Sequence, residues 1–106
     1  MKNITGSNSF FNPSEVIRLE AKSNYTKIYF RNNFPLVVSR VLKEFEALLS
    51  PVGFIRIHRS HLVNSCYITL VHKKTIIMNN DTAVDISKRK RTAVLAALKT
   101  KQYYAA

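Results

Sequence analysis

Residues 54–64 read Phe-Ile-Arg-Ile-His-Arg-Ser-His-Leu-Val-Asn, and they constrain the fold more than any other stretch. The first half alternates: Ile55 and Ile57 fall on one side, Arg56 and His58 on the other, which is the period of a half-buried strand. Then the alternation breaks. Ser60 is suited to cap a short helical turn, Leu62 and Val63 to pin it to a core, and Asn64 to end it in a left-handed conformation. Arg59 is therefore expected where a strand gives way to a turn, with ordered backbone on both sides. A guanidinium held that rigidly suits recognition rather than solubility.

The flanking sequence supplies the rest of a sheet. Strands are expected over residues 16–21, with Ile17, Leu19 and Ala21 on one face, and over 25–30, with Ile28 and Phe30 facing the core and Lys27 and Tyr29 away from it. Further strands are expected over 34–38, 68–73, 75–78 and 83–86, separated by turns at Arg31-Asn32-Asn33 and Asn79-Asn80-Asp81-Thr82. Ser39 is expected to cap a helix over residues 40–49, whose apolar stripe is Val41, Leu42, Phe45, Leu48 and Leu49; Pro51 and Gly53 stop it. Ser87 is expected to cap a second helix, from Lys88 to about Gln102, that buries Val94, Leu95 and Leu98. Many strands, two helices and short connections argue for antiparallel sheets rather than βαβ winding. Residues 1–13, rich in Asn and Ser, are expected as a tail or linker partly pinned by Phe10 and Phe11. Residues 14–102 then form the domain, and 103–106 a C-terminal tail.

Charge narrows the function. Lys and Arg number 17 against 6 Asp and Glu, a net of +11 on 106 residues, which calls for a polyanionic partner. Nucleic acid comes first and an anionic membrane second. No run of 18 apolar residues and no targeting segment is visible, so a cytoplasmic location is expected. The single cysteine, Cys66, cannot form an internal disulfide, which fits a reducing compartment; a small structural side chain, alkylated only on unfolding, is expected there.

Three places can carry binding. Lys88, Arg89, Lys90 and Arg91 crowd the expected first turn of the second helix, where the helix dipole already places partial positive charge. A phosphate relieves that conflict through free backbone N–H groups and through the side chains; a solvated charge run is the plainer reading. Arg91 is the member that can lie along the inner edge of the helix. Asn24, in the loop after the first strand, can read an adenine edge, and Lys27 behind it can meet a phosphate, although the residues alone favour a simple Asx turn at Asn24. Arg59 can grip guanine O6 and N7 or clamp a phosphate, or it can form a surface ion pair with one of few acids. His58 is expected to pack or to donate to a phosphate rather than to ionise for chemistry.

Catalysis finds little support. His58, Ser60, His61 and Asp85 can be drawn as a triad or a zinc site, but the two histidines straddle a strand-to-turn break and no second cysteine exists. With two glycines in the chain there is no phosphate cradle, and no paired carboxylates or HExxH motif appear. No enzyme activity, metal or cofactor is expected.

Residues 54–64 resemble the signature of the LytTR DNA-binding domain. Residues 17–26, Ile-Arg-Leu-Glu-Ala-Lys-Ser-Asn-Tyr-Thr, look like its opening strand and loop, and residues 84–89, Val-Asp-Ile-Ser-Lys-Arg, like its last strand and the start of its final helix. The blocks stand in the family's order and span residues 14–100. The resemblance implies an elongated fold of stacked antiparallel sheets with flanking helices. It implies sequence-specific duplex-DNA binding by a bacterial response regulator, through loops that enter the major groove rather than a recognition helix. It favours Asn24, Lys27, His58, Arg59, Lys88 and Arg89 as DNA contacts. It also implies repeated half-sites, a dimer on DNA and a receiver domain preceding this one. An RNA-binding β module is the alternative, with Tyr25, Tyr29, Tyr103 and Tyr104 as stacking candidates, but they form no RNP-like pattern. A membrane-associated domain fits less well, because the basic helix needs Val94, Leu95 and Leu98 for its core.

Overall fold

A computed structural model describes residues 4–6 and 9–99. Among the described residues, ten strands run in chain order: β1 (Ile4–Gly6), β2 (Ser9–Phe11), β3 (Val16–Lys22), β4 (Tyr25–Phe30), β5 (Leu36–Val38), β6 (Phe54–His58), β7 (His61–Asn64), β8 (Ile68–Val71), β9 (Thr75–Met78) and β10 (Ala83–Asp85). Two helices, α1 (Leu42–Leu49) and α2 (Arg91–Lys99), accompany them. These strands pair antiparallel throughout. The main sheet has the order β5-β4-β3-β7-β6, a second sheet the order β10-β9-β8, and β1 and β2 form a hairpin of their own. The molecule measures 43 × 26 × 23 Å, the elongated, mostly β class expected.

The main sheet has a core on each face. Val16, Leu19, Ile28, Phe54 and Leu62 pack against Leu42, Phe45 and Leu49 of α1. On the other side Ile17, Ile57 and Val63 meet the three-stranded sheet and Val94 and Leu98 of α2, with Leu95 partly buried beside them. Ile17 therefore does not share a face with Leu19 and Ala21. The register shifts between Val16 and Arg18, and this bulge turns Ile17 towards the second core. A second shift, between Arg56 and His58, sets His58 opposite His61 and not on the side of Arg56.

Other expectations also change. Arg59 and Ser60 form a two-residue hairpin turn, and β7 begins at His61, so Ser60 caps no helix. Asn64 is extended (φ −83°, ψ 118°) and caps a 3-10 turn over Ser65–Tyr67, accepting from the Cys66 N–H. Its Nδ2 donates to the Val16 carbonyl at 2.9 Å, which ties two strands together inside the core. Helix α1 starts at Leu42 rather than at Arg40, because the Arg40 carbonyl is taken by the Thr26 hydroxyl at 2.6 Å; Ser39 plays no capping part. Val41 and Leu48 are about half exposed (48% and 49%), so the buried stripe of α1 is narrower than its apolar stripe. Strand β5 omits Phe34 and Pro35, and β8 stops at Val71, where the His72 N–H closes the turn on Thr75.

Ser87 does cap, accepting from the Lys90 N–H, but it opens a 3-10 turn over Lys88–Lys90, and α2 begins only at Arg91. The four cations are thus divided between two kinds of turn. Residues 100–106 lie outside the described residues. Of the stretch expected as a tail, residues 4–6 and 9–11 pair as a hairpin, and Phe11 packs edge-on to Phe30 with ring centroids 5.7 Å apart. Cys66 is exposed, which corrects the expectation of a thiol reached only on unfolding: its 3-10 turn buries Ser65 and leaves its neighbour outside.

Candidate nucleic-acid interface

Three loops from distant parts of the chain meet at one end of the main sheet. The β3–β4 turn consists of Ser23 and Asn24, with Lys22 paired to Tyr25. Ser23 takes φ 58°, the positive value that a two-residue hairpin favours at its first position, and Asn24 is exposed beside it. The β6–β7 turn consists of Arg59 and Ser60. The two tips adjoin, because the Ala21 N–H donates to the Ser60 carbonyl at 2.9 Å. The third loop is fastened to β6: the Ser87 N–H donates to the Ile57 carbonyl at 2.9 Å, which sets the Lys88–Lys90 turn beside the Arg59 turn. An open cleft between these two turns is lined by Arg56, His58, Arg59, Ser87, Arg89 and Lys90.

Two histidines flank the Arg59 turn. His58 Nδ1 accepts from the Ser60 N–H at 3.0 Å, which places the ring proton on Nε2. His61 packs against it with ring centroids 5.0 Å apart. Burial pushes the His61 pKa down, and its Nδ1 is buried without a hydrogen-bond partner among the described residues. Arg91 Nε is buried in the same way, in keeping with a side chain along the inner edge of α2.

Behind the tips, the part of the main sheet not covered by the second core carries a charged network. Arg18 pairs with Tyr29, and Glu20 with both Lys27 and His61, so these residues share a face. The Arg18 guanidinium sits 3.9 Å from the Tyr29 ring centroid, and Lys27 Nζ 5.2 Å from it. Glu20 bonds Arg18 and Lys22 at 3.0 Å each. Burial works against ionisation of the Glu20 carboxyl, but hydrogen bonds from Arg18 and Lys22, and their charges, outweigh it and lower the pKa to about 2.

The fold thus brings His58, Arg59 and Arg89 to one cleft and sets Asn24 at the adjoining tip. Lys88 is exposed next to Arg89, and Lys27 stands half-buried on the charged face. Sequence reasoning missed Arg56 as a cleft residue, and named Lys90 only as one of four crowded cations. For Arg56 the local sequence held no signal: only the register, which sets it opposite the core residue Leu62, marks it out. Among the described residues no group of His, Cys, Asp and Glu could hold a metal ion, and no helix is long and apolar enough to cross a membrane.

Antiparallel sheets with two helices and a cationic three-loop end define a binding module suited to a polyanion. The LytTr DNA-binding domain family matches residues 7–99, and the chain belongs to it. The solved structures include a similar chain from Bacillus cereus, described as the LytTr DNA-binding domain of a putative methyl-accepting/DNA response regulator. It has 27% sequence identity and a TM-score of 0.74, over 92% of this chain and 94% of that one. No curated protein matches the chain.

Proposed function

We propose that the domain binds duplex DNA sequence-specifically, as the output module of a bacterial response regulator, with its three loops in the major groove. The observation that carries this reading is the convergence of Asn24, Arg59 and Arg89 at one end, fastened by the Ala21–Ser60 and Ser87–Ile57 hydrogen bonds. Arg59 and Arg89 grip guanine edges, and Asn24 reads an adenine. Lys27 and Lys88 meet phosphates, and the Nε2–H of His58 donates to another. The protein acts in the cytoplasm, as a dimer on repeated half-sites, under the control of a receiver domain. The chemistry is binding, without catalysis or a cofactor.

The RNA reading is weakened by Tyr29. Its ring already holds the Arg18 guanidinium at 3.9 Å and Lys27 Nζ at 5.2 Å, so a base must compete with these cations for it. Selection from random duplexes with the purified domain tests the proposal. A repeated motif should emerge and should outcompete single-stranded RNA. Enrichment of no sequence, or preference for the RNA, would refute it.

A further inference from the structure

We infer that Arg56 is a positioning residue, whose guanidinium fixes the direction in which Arg59 leaves the β6–β7 turn; the inference rests on reading Arg59 as a base contact. Arg56 lies opposite Leu62 in the β6–β7 register, on the face that α1 covers. A charged side chain there loses hydration and is tolerated only with its donors satisfied. All three of its nitrogens are engaged. Nη1 donates to Glu46 Oε1 of α1 at 2.8 Å, Nε to the His58 carbonyl at 2.8 Å, and Nη2 to the Arg59 carbonyl at 2.5 Å. The side chain is only 16% exposed and its charge is matched by Glu46, so it is no free cation for a phosphate.

The two carbonyls belong to the peptide groups on either side of Arg59. Each peptide is planar, so holding both planes sets φ and ψ of Arg59, and with them the direction of its Cα–Cβ bond. The turn needs such help. Two-residue hairpins favour turns with positive φ, which match the twist of the strands, yet neither Arg59 nor Ser60 has one. The Asn24 turn does have one, at Ser23. Lysine could not replace Arg56, because an ammonium on a flexible stem cannot address a carboxylate and two carbonyls in one plane.

Arg56→Lys and Glu46→Gln test this in the 106-residue chain. Backbone amide exchange at Arg59 and Ser60 should quicken in both variants, more in Arg56→Lys, with the rest of β6 and β7 unchanged. On a selected DNA site, Arg56→Lys should lose about tenfold in discrimination at the base pair whose preference Arg59→Ala relaxes. Added to Arg59→Ala, it should cost nothing more. Arg56→Gln should leave the salt dependence of binding unchanged. Unaltered exchange in both variants, a loss that adds to that of Arg59→Ala, or a shallower salt slope for Arg56→Gln would each overturn the inference. If Arg59→Ala itself leaves discrimination intact, the reading of Arg59 fails and the functional half of the inference with it. The exchange rates then still decide whether Arg56 orders the turn. If Arg56→Lys does not fold, Glu46→Gln carries the same comparison, because glutamine keeps an acceptor and loses the charge.

Discussion

The Ala21 N–H meets the Ser60 carbonyl at 2.9 Å, and this bond carries the β3–β7 pairing on to the tips, tying the Asn24 turn to the Arg59 turn. The tips therefore cannot move far independently, and a ligand that touches one is within reach of the other. For a linear polyanion the consequence is a set of spaced cations in a fixed frame.

Binding should weaken steeply with salt. Each phosphate contact contributes about −0.9 to the slope of log K against log salt on duplex DNA. Lys88→Ala and Lys27→Ala should each make the slope shallower by about one unit and weaken all sequences alike. Titrations at several salt concentrations check this; an unchanged slope for either variant removes that lysine from the phosphate contacts.

Asn64→Ala should destabilise the domain by about 1–3 kcal/mol, because the buried Val16 carbonyl and the Cys66 N–H lose their partner. Thermal or urea unfolding measures it. A variant as stable as the parent would mean that water replaces both bonds.

The carboxyl of Glu20 should stay ionised far into acid. Its folded pKa, about 2, lies below its ordinary value of 4.5, so its contribution to stability is complete above pH 4.5 and fades as pH falls towards 2. His61 adds an earlier loss. Its folded pKa is lowered from 6.5, so the unfolded chain binds the proton first and stability declines as pH drops below 6.5. Carboxyl and imidazole shifts followed by NMR from acid to neutral pH, alongside unfolding curves, check both signs. A Glu20 midpoint near 4.5 would show that the Arg18 and Lys22 contacts do not persist in solution.

Cys66 should react with maleimide in the native protein, since it is exposed. It follows Asn64, at the end of β7 away from the Arg59 turn, so the label should leave DNA affinity near that of the parent. Labelling that requires denaturant would contradict the exposure, and labelling that abolishes binding would contradict the placement of the interface.

Much of this was legible in the residues. Alternation locates β4 because one of its faces lies on a core, and most of β6 because Ile55 and Ile57 share one core, and α2 declares itself through Val94, Leu95 and Leu98. Alternation does not reveal register. Ile17 looks like a partner of Leu19 until a bulge turns it to the opposite core, a choice that depends on what β4 offers across the strand. The start of α1 was hidden for a similar reason: the Thr26 hydroxyl that takes the Arg40 carbonyl lies 14 residues away. Asn64 suits a left-handed position by composition, yet its side chain serves better bridging two strands. Of the site, Arg59 and Lys88-Arg89 stand out as charges where a strand or turn ends. Arg56 could not be recognised from its neighbours, since its partner Glu46 belongs to another element.

The most direct test of the DNA reading compares Arg59→Ala and Arg89→Ala with the parent on a selected site and on scrambled duplex. Each should lose about 1–3 kcal/mol on the selected site and less on scrambled DNA. Specificity should relax at one base position per variant, at different positions, with thermal stability nearly unchanged. Equal losses on specific and scrambled DNA would make both arginines backbone clamps, and the account of the Arg59 turn as a base-reading element would be wrong.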